Sequence, residues 1–154
     1  KILEKKEDLP VDLEGAAIFH AGPVVKEKDE GWDLVVIGPT TSIRMEPYAK
    51  MVGELGVKAI IGKGGMGDGT KAACKKYGYV YLQAAPGCAV KLAKGIKNIE
   101  NVHWLDMGVP EALWVLNAEK FGPFVVGIDT QNNSIYEELK KDASQKVDKI
   151  YPRG

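Results

Sequence analysis

Only two cysteines, Cys74 and Cys88, occur in the 154 residues. That is too few for a disulfide scaffold, and both read as reduced thiols of a cytoplasmic chain. It is also too few for an iron–sulfur cluster, which takes three or four protein thiolates. Net charge is missing too: 21 basic residues balance 21 acidic ones. A balanced chain lacks the basic footprint of a non-specific nucleic-acid binder and of an electrostatic membrane anchor. No apolar run approaches the ~20 residues that span a bilayer. No signal-peptide pattern opens the chain, and Lys1 is not an initiator methionine, so residues upstream of it are expected to have been cut or to lie unseen. Histidine is limited to His20 and His103. Two distant histidines make no metal site. His103 reads as structural, and His20, beside a strand–turn break, keeps a small functional claim. Arginine is rarer than the charge total implies: Arg44 and Arg153 are the only two among the 21 basic residues.

Glycine is plentiful, 18 of 154 residues, against a usual ~7%. Most of it closes short apolar runs. Leu34–Ile37, Val57–Ile61, Tyr79–Leu82, Val102–Leu105 and Phe124–Ile128 each lead into a corner and read as strands, several buried on both faces. Leu13–Pro23 and Val24–Lys26 read as strands of a smaller sheet. Helices are expected over Ile43–Leu55, Thr70–Tyr77, Cys88–Lys94 and Pro110–Lys120. The first is capped by Thr40, Thr41 or Ser42 and starts regularly near Pro47. The last has proline in its first turn and Gly122 as its stop. The segment after Ser134 is helical, then increasingly charged, with a frayed tail over 141–154. The whole, 1–154, is expected to be one α/β domain with mixed sheet layers flanked by helices.

Two segments after strands are placed to bind a ligand. The first, Gly38 to Arg44, sets three hydroxyls and a guanidinium at a helix start, where N–H groups and the dipole favour an anion. Arginine adds a fork that clamps a carboxylate through two hydrogen bonds. The second, Ile61 to Thr70, sets Lys63 among glycines, where the backbone can bend closely around a ligand. Gly62, Gly64 and Gly67 formally match a dinucleotide fingerprint. The acidic residue it requires after the next strand is missing, since that strand ends at Leu82-Gln83, and Lys63 precedes the glycines, unlike a Walker lysine. Cys74 reads as a packed thiol. Cys88 stands at a helix start, where a thiolate is stabilised, but no partner lies nearby in sequence. Trp32, Trp104 and Trp114 are not spaced as a base-stacking platform.

These residues carry a resemblance. The stretch from Asp33 to Tyr48, with Gly38-Pro39-Thr40-Thr41 and Arg44-Met45, followed by Ile61 to Gly64, resembles the C-terminal (β) part of class I, iron–sulfur-dependent fumarate hydratases and L-tartrate dehydratases. Leu9 to Gly15, Ala21 to Val24, Pro86 to Ala89 and Phe121 to Phe124 are similar to the same family, so the likeness covers residues 9 to 139.

The resemblance implies a swivelling β/β/α domain. It implies a hydro-lyase that interconverts fumarate and L-malate, or in the other branch dehydrates tartrate to oxaloacetate. It implies a four-iron, four-sulfur cluster on a partner α chain and none on this one, with an open iron acting as Lewis acid. The implied partners are that α subunit, in a hetero-oligomer, and a dicarboxylate. Thr40, Thr41, Arg44 and Lys63 are the implied substrate-binding residues. Thr40, Arg44 and Lys63 are also the implied catalytic ones, with Thr40 as base for the carbon-bound proton. The β chain is expected to be inactive alone. The family's Arg-Asp-x-x-His stretch, which normally precedes the segment matching Leu9 to Leu13, has no match here. The fumarate reaction is preferred as the commoner central-metabolic one. An L-tartrate dehydratase β subunit, a nucleotide-binding module using residues 62–67 and a non-catalytic scaffold are the competing readings.

Overall fold

In the computed structural model, which describes residues 8–150, the fold is set by alternation in short central strands. In Ala59–Gly62 (β4), Ile60 and Ile61 point to opposite faces, and both are buried. Val80–Gln83 (β5) repeats the arrangement with Tyr81 and Leu82. Period-2 alternation with apolar residues on both sides marks a strand covered twice. With Ala17–Phe19 (β1) and Val125–Ile128 (β8), these strands form a sheet of order β1-β4-β5-β8. The first two pairings are parallel and the last, β5 with β8, is antiparallel.

One face is covered by the helices Ala49–Glu54 (α1) and Asp68–Tyr77 (α2). Val52, Val57, Ile60, Ala73, Cys74, Tyr79, Tyr81 and Ile128 make that core. Each large side chain buried there contributes about 1.5–3 kcal/mol. The buried phenol of Tyr79 is satisfied by Ala49 O at 3.1 Å. The other face is covered by two antiparallel ribbons, Ala21–Glu27 (β2) with Trp32–Pro39 (β3), and Ile96–His103 (β6) with Leu113–Ala118 (β7). The short helix Ala89–Ala93 (α3) packs with them, and Ile37, Ile61, Ala84 and Leu92 are the buried centre. The result is a mixed sheet in β/β/α layers flanked by helices. The helix Ile135–Ile150 (α4) follows β8 and runs through most of the segment expected to fray. Residues 1–7 and 151–154, with Arg153, lie outside the described residues.

Three expectations are corrected. Pro110–Lys120 is not a helix, since Leu113–Ala118 is strand β7. Its apolar run serves two faces, and Trp114 meets Trp32 of β3 edge-on at 5.5 Å between ring centres. Leu13–Pro23 is not one strand: it divides at His20 between β1, which joins the central sheet, and β2, which joins a ribbon. The helix over Ile43–Leu55 begins as a 3-10 turn, Ser42–Tyr48, with Pro47 inside it. Proline removes an N–H and disfavours α geometry at the residue before it, so the regular helix starts only at Ala49.

Candidate active site

The ends of β3 and β4 meet beyond the central sheet. Thr41 and Lys63 form a parallel β-bridge. Lys63 N donates to Thr40 O at 3.1 Å, and Ser42 N donates to Lys63 O at 3.1 Å. A third segment closes the junction: Thr40 N donates to His20 O at 2.7 Å, and His20 N donates to Ile61 O at 2.8 Å. The two segments singled out in the sequence are thus one backbone unit. Arg44 follows in the 3-10 turn, on the surface, while Lys63 is half-buried. Among the described residues neither cation takes part in a salt bridge.

The backbone of this turn offers an anion less than its sequence implies. No side chain caps the 3-10 turn, and the amides of Thr40 and Ser42 are spent on His20 and Lys63. An anion here is therefore held by side chains more than by a helix start. Thr41, extended at φ −68 and ψ 112, keeps its hydroxyl out of capping.

The glycine loop is held by groups the sequence reading did not single out. Glu46, on the same turn as Arg44, accepts from Gly67 N at 2.8 Å, Thr70 N at 2.9 Å and Thr70 Oγ1 at 2.6 Å. Burial alone would raise its pKa, but the Thr70 hydroxyl and the amides of Gly67, Thr70 and Gly69 outweigh it and hold the carboxyl below its ordinary value. This carboxylate occupies the N-terminus of α2, where a nucleotide phosphate would have to sit. Tyr81 donates to Gly64 O at 2.7 Å, and the Tyr136 hydroxyl lies 2.9 Å from the same oxygen and 2.6 Å from Gln83 Oε1. Gly64 itself takes φ +75, a left-handed conformation that glycine adopts freely. Ser42 is fully buried, with Oγ 3.0 Å from His20 Nδ1. Burial pushes His20 down to about 4. A helix start whose amides face a glycine loop needs an acid, and Glu46 beside Arg44 was the available signal. Tyr81 and Tyr136 arrive from distant segments and left none.

The thiols do not fit an iron–sulfur cluster. Cys74 is buried beneath the sheet, and burial pushes it up to about 12. Cys88 Sγ is turned to Ala85 O at 2.7 Å. Among the described residues no group of three or more His, Cys, Asp or Glu is placed to hold a metal. No described helix is long and apolar enough to cross a membrane. Two cavities lie elsewhere. One of about 760 Å³ is ringed by Lys91, Lys94, Lys97 and Lys120. An apolar one of about 500 Å³ lies between Phe19, Trp114 and Phe121. Neither is lined by Thr40, Thr41, Arg44 or Lys63.

Comparison with known proteins gives the family of the chain. The family model described as fumarase C-terminus matches residues 1–139. The L(+)-tartrate dehydratase subunit beta of Escherichia coli K12 is 43% identical over 151 residues, 97% of this chain and 75% of the relative. A putative L(+)-tartrate dehydratase subunit beta of Methanocaldococcus jannaschii is 43% identical over 155 residues, 97% of this chain and 78% of the relative. A putative class I fumarate hydratase of Geobacillus stearothermophilus is 43% identical over 142 residues, 91% of this chain but 27% of the relative. Across nearly its whole described length, from the first strand to the start of α4, this chain belongs to the fumarase C-terminus family.

Proposed function

We propose that this chain is the β component of a cytoplasmic hydro-lyase that interconverts fumarate and L-malate. The observation that carries the reading is the junction of Thr40, Thr41 and Lys63, with Arg44 on the adjoining turn, in a member of this family. Fumarate and malate are dicarboxylates, and each end needs charge-assisted hydrogen bonds. Arg44 and Lys63 bind one carboxylate, and the hydroxyls of Thr40 and Thr41 orient it. Thr40, its own hydroxyl proton passed to water and its alkoxide held by the two cations, takes the carbon-bound proton of malate. That proton is weakly acidic, so the two cations stabilise negative charge as it develops beside the carboxylate. The preorganised backbone reduces the entropy lost on fixing a small substrate.

The other half of the site belongs to an α partner that carries the four-iron, four-sulfur cluster, and the β chain is inactive alone. Exposed apolar side chains share the turn with Arg44: Ile43 at 48%, Met45 at 38% and Tyr48 at 40% exposure. Apolar groups clustered at a charged site are what a partner surface covers. The test is reconstitution. Mixed anaerobically with its cluster-loaded partner, the chain turns fumarate into malate, and hydrogen exchange across Gly62 to Gly69 slows on assembly. A pair that holds its cluster and turns over neither fumarate nor tartrate would sink the reading. An Arg44→Ala complex with intact activity would reduce the chain to a scaffold.

Dehydration of L-tartrate is the second reading, favoured by one observation. The two relatives matched over 75% and 78% of their length carry that name. The assembled enzyme assayed side by side with malate and L-tartrate separates the two, because a site built to bond a substrate hydroxyl rejects an analogue lacking it.

A further inference from the structure

His20 stands where β1 leaves the central sheet and the chain enters β2. Its polar groups reach three segments: its N–H goes to β4, its C=O to Thr40, and its Nδ1 to Ser42 Oγ. Gly62 makes the last contact sterically possible. A Cβ there would run into Ser42 Oγ and stand 3.3 Å from His20 Nδ1.

Ser42 is tied to both sides of the junction. Its N–H donates to Lys63 O at 3.1 Å, and its Oγ lies 3.0 Å from His20 Nδ1. The Tyr81 hydroxyl holds the next residue of the loop, donating to Gly64 O at 2.7 Å. Burial favours the neutral ring, which has a single N–H. With that proton on Nδ1 the ring donates to Ser42 Oγ, and with it on Nε2 the ring accepts from the Ser42 hydroxyl. In either case the imidazole holds the buried Ser42 side chain beside the bridge between Thr41 and Lys63.

We propose that His20 is a positioning residue of the dicarboxylate site, whose Nδ1 contact with Ser42 Oγ, together with its own backbone bonds, locks the Thr40–Arg44 turn against the Lys63–Gly64 loop. Its kinetic consequence rests on the hydro-lyase reading. In the assembled enzyme, His20→Leu removes the hydrogen-bonding ring, whereas His20→Asn places an amide, able to donate or accept, near the position of Nδ1. Small misplacement of a reacting group costs up to about 100-fold, so His20→Leu is expected to lower kcat about 10- to 100-fold with KM changed less than about 3-fold. His20→Asn is expected to recover most of the loss. A His20→Leu enzyme within about two-fold of native turnover, or His20→Asn no better than His20→Leu, overturns the proposal.

A second measurement needs no substrate. Nitrogen-15 NMR of the full chain should show the neutral His20 ring in one tautomer, as a fixed bond to Ser42 requires. The amides of Thr40 and Lys63 should shift in His20→Leu and stay near native in His20→Asn. A ring averaging between its two tautomers, or unmoved amides in His20→Leu, overturns the proposal. If the native pair turns over neither substrate, the hydro-lyase reading fails by itself and these spectra still decide the role of His20.

Discussion

Lys63 holds the Thr40 segment through both peptide groups that flank its Cα, donating to Thr40 O and accepting from Ser42 N, each at 3.1 Å. A cation from one loop and a hydroxyl from another are thereby set in register by main chain, which side-chain substitution leaves in place. Mutations at these positions should therefore report on chemistry more than on folding.

In the assembled enzyme, Arg44→Lys keeps the charge and loses the fork. Loss of a close contact to a buried carboxylate costs roughly 2–5 kcal/mol. At ~1.4 kcal/mol per decade that is roughly 30-fold to several thousand-fold in kcat/KM. Arg44→Ala should be at least as damaging, and Lys63→Ala should damage the same constant. Thr40→Ala should lower kcat more than it raises KM, with Thr40→Ser the mildest. Arg153→Lys is the control and should change nothing measurable. Near-normal turnover in both Arg44→Lys and Lys63→Ala, with folding and assembly verified, removes these residues from the site.

Two glycines of the same loop should respond differently to alanine. At Gly62 a Cβ meets the buried Ser42 hydroxyl, so Gly62→Ala must displace the residue that His20 holds. At Gly64 a Cβ meets open space, and only the φ of +75 resists it. Gly64→Ala should cost about 1–2 kcal/mol in urea unfolding. Gly62→Ala should cost more, roughly 1–3 kcal/mol from overpacking, and should also lower turnover. Equal losses at both positions would contradict the packing around Ser42.

Acid should weaken the fold in two stages. His20 is depressed by burial to about 4, against about 6.5 in the unfolded chain. Its contribution is complete above pH ~6.5 and declines as pH falls toward 4, by up to about 3 kcal/mol. Glu46 is also depressed, since its hydrogen bonds outweigh burial. Its contribution is present above the ordinary carboxylate range and is lost at still lower pH. His20→Asn should flatten the upper stage and Glu46→Gln the lower, the latter at a neutral-pH cost of about 1 kcal/mol for the weakened cap. Urea unfolding from pH 4 to 8 measures the first, and thermal unfolding below pH 4 the second.

The two thiols should differ sharply toward an alkylating reagent. Cys74 is fully buried and held as a thiol, its pKa pushed up to about 12. Cys88 is partly exposed. Mass spectrometry after iodoacetamide treatment of the native chain should find label on Cys88 and none on Cys74 until unfolding. Early labelling of Cys74 would mean that the core beneath the sheet opens.

The sequence revealed residues whose signal is local and concealed those whose meaning depends on distant partners. β4 and β5 were legible because buried apolar residues alternate across both faces before a glycine corner. β7 was read as a helix because Leu113 to Leu116 is apolar on all sides, a pattern that a doubly covered strand also produces. Val115 and Trp114 carry the β preference that decides it. The greater part of β6 was missed because its Lys97, Asn98, Glu100 and Asn101 face outward. At the site, Thr40, Arg44 and Lys63 stood out as unusual residue types after strands. Ser42 looked like one more capping hydroxyl, and only its contact with His20 gives it another task.

Glu46 belongs to the turn that carries Arg44, yet its carboxylate is anchored in the loop that carries Lys63. The turn and the loop are therefore one physical unit and not separate modules. Grafting residues 40–48 from one family member into another would import a carboxylate that must find Gly67 and Thr70 of the recipient. A graft lacking that match would weaken both loops at once. Substitutions at positions 46 and 70 should therefore be non-additive in stability, which ties the sequence of one turn to the folding of its neighbour.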